Sequence, residues 1–301
     1  MRPRPCPPAR RATTTVRTAL AFAALAVAGA AAAQTSPVDP LAPQADARTR
    51  ISTTLGAELT RGTYGTAERT DLLALPLSVR IRRGGLRARI TATGLRIASD
   101  GGLVPALGPD ASAAARSAPA AGVAGAGPSS GLSLERSGTP RERDVRSGAG
   151  DLVVSASATV YDRGTGPSLD LTGRVKLATA SRERGLGTGR ADRALQLDAS
   201  ANTEPLNPFA SIGWRWAGVG ERDVPYGTVG VETRLGARGL VALALDGARS
   251  VWRGDADRLE ASLTYEHRLS ATLKLGTWVL RGFGDASPDW GLGVNLTWYA
   301  D

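Results

Sequence analysis

The closing stretch, Trp290–Trp298, alternates without a break. Trp290, Leu292, Val294, Leu296 and Trp298 fall on one face of an extended chain, and Gly291, Gly293, Asn295 and Thr297 on the other. Successive side chains of a strand point to opposite faces, so this stretch carries one apolar row and one polar row. An indole at each end of the apolar row fits a strand whose outer face meets lipid and whose ends lie at two membrane interfaces. A soluble sandwich can hold one such strand, so the remaining segments decide.

They repeat the pattern at lengths of about ten residues, which a tilted strand needs to cross a bilayer. Ile51–Arg61 turns Leu55 and Leu59 one way and Thr54 and Glu58 the other. In Asp71–Arg82, Leu73, Leu75, Leu77, Val79 and Ile81 oppose Ser78, Arg80 and Arg82, with Pro76 awkward for pairing. Leu86–Ile97 places Arg87, Arg89, Thr91 and Thr93 inward, and its parity changes at Gly94, which predicts a bulge there. Alternation returns in Asp151–Tyr161, Leu169–Leu177, Ala194–Asn202, Phe209–Ala217, Tyr226–Leu235, Leu240–Ser250, Leu259–Leu269 and Leu273–Leu280.

With the closing stretch this makes about twelve strands, an even number, joined by connections that are alternately short and long. The fold class expected is all-β: a transmembrane antiparallel up-and-down β-barrel with one long extracellular loop. That loop, 99–147, is rich in Ala, Gly and Ser. Its composition predicts a long mobile segment, and the alternative is a loop folded into the lumen as a constriction. The final strand should close the barrel against the first, around Leu55–Leu59. Trp216, Tyr226, Trp252 and Trp290 are expected at the extracellular interface and Trp298 at the periplasmic one.

The formal charge of +9 does not call for nucleic acid. Residues 1–33 hold Arg2, Arg4, Arg10, Arg11 and Arg17 and no acid, then the apolar run Ala19–Ala28 and an Ala31-Ala32-Ala33 exit. That order predicts a secretory signal peptide cut after Ala33, followed by a flexible periplasmic lead-in, 34–50, and the barrel, 51–301. Without the leader the net charge is about +4, with no compact basic–aromatic cluster. The single cysteine, Cys6, leaves with it, so no disulfide or thiol chemistry is expected.

Catalytic and metal chemistry find little support. The one histidine, His267, shares the outward parity of Leu263 and Tyr265, and no motif sets a serine beside it. No cofactor and no metal site is expected. Gly185-Leu-Gly-Thr-Gly189 lacks the Gly-Lys-Ser/Thr ending of a phosphate loop and reads as a flexible turn.

The informative surface is the lumen. Its expected lining is Arg80, Arg87, Arg89, Asp170, Arg174, Lys176, Asp198, Arg215, Glu232, Arg234, Glu260, Glu266, Arg268 and Lys274. Charges inside a membrane-spanning structure must pair or face water. They form either a salt-bridged filling or a hydrated, slightly basic passage.

Gly148-Ala-Gly-Asp-Leu152, Gly173-Arg-Val-Lys-Leu177, Gly185–Gly189 with Asp192, and Ser287-Pro-Asp-Trp-Gly291 together resemble the outer-membrane channel family linked to meta-pathway phenol degradation. The likeness covers Gly148–Tyr299. It departs at Ala178-Thr179-Ala180, where the family has Pro-Thr-Gly, and at the Ala300-Asp301 terminus, where an aromatic residue is usual. The resemblance implies a bacterial outer-membrane barrel that admits small, often aromatic or hydrophobic compounds. The resulting expectation is a passive, non-enzymatic outer-membrane channel for such solutes or for anions, in contact with lipid and the barrel-assembly machinery. The alternative is a structural or interaction barrel with a closed, salt-bridged lumen.

Overall fold

The alternating segments form strands throughout. They are β1 (Thr49–Gly62), β2 (Thr70–Arg83), β3 (Leu86–Ser99), β4 (Leu103–Leu107), β5 (Leu132–Arg136), β6 (Asp144–Ala149), β7 (Leu152–Asp162) and β8 (Ser168–Leu177). The chain continues through β9 (Asp192–Ser200), β10 (Leu206–Trp216), β11 (Val224–Leu235), β12 (Gly239–Ala248), β13 (Arg258–Arg268), β14 (Leu273–Gly282) and β15 (Trp290–Ala300). The computed structural model describes residues 48–99, 102–108, 132–136, 144–163 and 166–300. The expected signal peptide, the lead-in up to residue 47, and 100–101, 109–131 and 137–143 of the long segment lie outside the described residues.

Each wall strand pairs antiparallel with its neighbours, and β1 closes on β15 from Ile51↔Ala300 to Arg61↔Trp290. Leu55 stands opposite Leu296 and Leu59 opposite Leu292, the closure read from the final strand. β6 and β7 share one edge of β3 and act as one interrupted strand, so the closed wall has twelve positions. Closure removes every free edge, which a sheet in lipid requires because no water is there to satisfy exposed amides. Ser99 and Asp144 are register partners, so the segment between them leaves the wall and returns beside its own starting point.

The outer surface is apolar. Leu55 is 59% exposed, Ile212 58% and Leu292 48%, and Leu77, Ile90, Leu243, Leu263 and Val279 are exposed around the same belt. Soluble monomers rarely expose contiguous apolar patches beyond a few hundred Å². A continuous ring of exposed leucine, isoleucine and valine is the surface of a membrane-spanning barrel.

The expected bulge is displaced. β3 keeps its parity through Gly94, pairing with β2 from Arg83↔Leu86 to Asp71↔Ala98 without a shift. The extra residue lies on the facing segment: Gly94 pairs with Ala149 and Thr91 with Val153, so Gly150–Leu152 oppose only Ala92 and Thr93. Leu95 and Ile97 therefore face inward, and they are apolar because something apolar covers them.

That cover is the hairpin of β4 and β5, which pair from Leu103↔Arg136 to Leu107↔Leu132. Every residue of β4 is buried. Leu103 and Leu134 pack with Tyr64, Leu72, Leu95, Ile97 and Leu186. Leu107 packs with Val153, Ala194 and Tyr226 on the other side. These partners are inward residues of the wall together with Tyr64 and Leu186 from its connections, so the hairpin sits inside the barrel.

Candidate functional site

The site is the upper lumen, where the hairpin meets the wall. An inserted hairpin brings its own unpaired backbone edge, and buried amides and carbonyls must be satisfied. Wall side chains do this. Leu107 N donates to Asp192 Oδ2 at 3.0 Å, and Arg174 Nη1 donates to Gly108 O at 2.6 Å. Arg215 donates to Leu107 O and to the Glu135 carboxylate on β5, and Arg146 donates to Leu103 O. Outside the strands, Trp252 Nε1 donates to Arg136 O at 3.0 Å. Arg174 and Arg215, expected on the lumen lining, hold the hairpin.

The anchor behind Asp192 is a buried ion cluster. Lys176 Nζ lies 2.7 Å from Asp151 Oδ2 and 3.7 Å from Asp192 Oδ2. Lys176 also donates to Thr188 Oγ1 at 3.0 Å and to Arg190 O at 2.9 Å. Asp151 Oδ1 accepts the Ala180 amide at 2.8 Å, and Asp192 Oδ1 accepts the Gly218 amide at 2.8 Å. A buried lysine needs this density of acceptors, since an unpaired charge in a dry interior is very costly. The bulge at Gly150 turns Asp151 into the barrel to reach it.

The turn Gly185–Gly189 is part of the same assembly. Leu186 is fully buried under the hairpin, and Thr188 is buried beside Lys176. A Cβ on Gly187 would stand 2.7 Å from Asp151 Oδ2 and 2.8 Å from Ala180 Cβ. Glycine here permits close approach, which replaces the expected flexible turn. Gly148–Asp151, Lys176, Gly185–Gly189 and Asp192, all drawn from the stretches that carry the family resemblance, meet at this one place.

Lower in the barrel the expected charges are mostly paired. Arg87 Nη2 is 2.6 Å from Asp170 Oδ2, and Lys274 Nζ is 3.1 Å from Glu266 Oε2. Asp198 accepts from Thr172 Oγ1 at 3.0 Å and Gln196 Nε2 at 2.5 Å, and Glu232 accepts from Asn207 Nδ2 at 2.8 Å. Arg80 and Arg89 are half-buried on the inner face there, whereas Glu260 is buried beside Arg258 at the hairpin's level. Arg234 and Arg268 do not line the interior. Both sit exposed at strand ends, Arg234 3.4 Å from Glu204, because the strands outrun the buried lumen there.

Among the expected interface aromatics, Trp216 and Trp298 are exposed on the outer face. Trp290 is half-buried under the Arg61 guanidinium, 5.9 Å from its ring. Tyr226 is corrected: it is buried inside the barrel, its ring filling the space over Gly213, where a Cβ would lie 2.3 Å from it. Trp252 lies on the β12–β13 connection and caps the hairpin. His267 is half-buried, with Nδ1 3.0 Å from Tyr265 Oη.

Asp151, Asp192, Arg146, Asp246 and Trp278 were missed as interior groups. Asp246 accepts from Thr228 Oγ1 at 2.6 Å, and Trp278 is buried at the inward parity of Lys274. Parity alone would have found these last two. Tyr64, in the β1–β2 connection, donates to Thr60 Oγ1 at 2.6 Å, and burial pushes its hydroxyl pKa upward, so it stays a donor. Among the described residues no group of three or more His, Cys, Asp and Glu side chains is placed to hold a metal ion.

The chain is similar to an outer-membrane channel from Pseudomonas putida F1 of known structure, at 14% identity and a TM-score of 0.59, over 89% of this chain and 100% of that one. The fold is that of an outer-membrane β-barrel. The chain also aligns with the NanC porin, at 7% identity and a TM-score of 0.49, over 82% of this chain and 98% of that one. For the KdgM porin the values are 9% and 0.46, over 82% and 98%. No protein-family model and no curated protein matches the sequence, so the link to phenol degradation gains no support from them.

Proposed function

We propose that this chain is a passive channel of the bacterial outer membrane that admits small solutes past a hairpin seated in its lumen. The observation that carries this reading is the lopsided seating. The hairpin bonds to β6, β8, β9 and β10, yet on the side of β1, β2, β13 and β14 it leaves a small recess lined by Glu58, Leu72, Arg258 and Leu280. That recess is the upper part of the route. The lower lumen carries both signs: Arg80, Arg82, Arg87 and Arg89 on β2 and β3 stand across the barrel from Glu232 on β11. An anion preference attaches to the β2–β3 arc alone. The expected export signal, contact with outer-membrane lipid and handling by the barrel-assembly machinery belong to the same proposal.

A second reading, a structural barrel with a closed lumen, is favoured by the paired interior charges and by the occupation of Arg174 and Arg215. Planar-bilayer recording separates the two. Because Ser99 and Asp144 are register partners, residues 100–143 can be replaced by a two-residue hairpin turn without disturbing the wall. A small conductance in the full-length chain, enlarged by this replacement, supports the channel. Silence in both supports the structural barrel.

A further inference from the structure

A charge on the lipid-facing side of a barrel must reach the headgroups or find a partner there. On the described wall strands the charged side chains of outward parity are Arg61, Asp71, Arg83, Arg96, Arg193 and Arg281. All but Arg83 lie toward the end of the barrel that carries the long connections. Arg61 is bonded to Asp71, and Arg281 donates to Asp289 O at 2.9 Å. Arg193 has Val175 and Trp216 as its register partners. Arg96 is exposed on β3 at the parity of Ile90, with no hydrogen bond or ion pair among the described residues. Its register partner on β6 is Ser147, exposed on the same face. Arg184 Nη1 donates to Ser147 O at 3.4 Å, which brings a second exposed guanidinium to that residue. Toward the middle of the membrane the next outward pair is Gly94 and Ala149, a low strip beside Leu75, itself 49% exposed.

We propose that Arg96, Ser147 and Arg184 dock a phosphorylated lipid of the outer leaflet, its phosphate on the two guanidiniums and an acyl chain over Gly94 and Ala149. A guanidinium presents paired N–H donors that match phosphate oxygens, and the hydroxyl adds another partner. A soluble anion would leave the apolar strip uncovered, whereas a lipid uses both parts. Asp144 lies further out, opposite Ser99, so it favours an anion on the membrane side of Ser147. The docking rests on the outer-membrane fold with its long connections outside, and it is independent of conduction.

The test is native mass spectrometry of the full chain, refolded in detergent micelles. It is titrated with diphosphorylated lipid A and with the same lipid stripped of its phosphates, and inorganic phosphate is added as a competitor. Lipid A should bind at least about tenfold more tightly than its dephosphorylated form. Arg96→Gln and Arg184→Gln should each weaken lipid A about tenfold, and Arg83→Gln, at the opposite end, should leave it unchanged. A Cβ on Gly94 would meet nothing closer than Leu75 Cβ at 3.7 Å, so Gly94→Leu should fold and weaken both lipids alike. Heat-modifiable electrophoretic mobility shows that each variant is a closed barrel. Equal binding of the two lipids, or lipid A binding unaltered in the Arg96→Gln/Arg184→Gln double variant, overturns the proposal. Displacement of lipid A by equimolar inorganic phosphate also overturns it, since the site would then hold an anion and not a lipid. Conductance, recorded in neutral phosphatidylcholine bilayers, is read separately. Phosphate-selective lipid binding without conductance keeps the dock and removes the channel, and conductance without it removes the dock alone.

Discussion

Lys176 Nζ sits 2.7 Å from Asp151 Oδ2, and neither side chain is exposed to solvent. Removing one member of a buried pair strands the other, typically at about 3–5 kcal/mol. Lys176→Met should cost that much in urea unfolding of the refolded protein. The double variant with Asp151→Asn should recover part of the loss, because it no longer buries an unanswered carboxylate. A single variant as stable as the parent would show that the cluster holds nothing.

Arg215 reaches from β10 to the hairpin at both Leu107 O and Glu135. Arg215→Ala removes a charge-assisted contact worth about 1.5–3 kcal/mol while leaving the wall ladder intact. The hairpin should leave its seat more often, and single-channel recordings should show larger or longer openings. Unchanged openings would mean that the hairpin does not limit conduction.

Gly187 and Gly173 differ in their surroundings. A Cβ on Gly187 would press on Asp151, whereas one on Gly173 would meet nothing within 4 Å. Gly187→Ala should destabilise by about 1–3 kcal/mol, as overpacking does. Gly173→Ala should stay within about 0.5 kcal/mol of the parent. Equal unfolding midpoints for the two would remove the close-approach account of this turn.

Leu55, opposite Leu296 on the outer belt, should not tolerate charge. Arginine near the bilayer midplane of a barrel costs about 2–4 kcal/mol. Leu55→Arg should lower refolding stability in lipid vesicles by that amount. Thr54→Arg, one step inward, should cost less because its neighbour Thr297 faces the lumen.

Arg80 and Arg89 are register partners on the inner face of β2 and β3. Replacing both by Glu should move the reversal potential in a potassium chloride gradient toward cations. An unmoved potential would confine the basic arc to a structural role.

The wall was legible because lipid outside and polar groups inside impose period two on every strand. β8, β9, β13 and β15 show it clearly, from Asp170 to Asn295. The upper lumen was misread where that rule fails. Leu95 and Ile97 look like a slipped register only if inward positions must be polar, and a buried hairpin makes apolar ones correct. The hairpin strands, Leu103–Leu107 and Leu132–Arg136, are too short to announce a period within their Ala- and Gly-rich surroundings. Tyr226 was assigned by its place near a strand end, although its shared parity with Thr228 and Glu232 turns it inward, where the missing side chain at Gly213 leaves room for its ring. Asp151 and Asp192 stand at strand edges far apart in sequence, so their meeting at Lys176 follows from the wall order and not from spacing.

Ser99 and Asp144 face each other across one ladder rung, and the whole hairpin hangs between them. Such an excursion adds nothing to the registers that fix circumference and tilt. Its length and composition can drift through evolution while the cylinder stays constant. One wall can therefore accept different internal segments, with the Lys176 cluster as the socket that any replacement must fit.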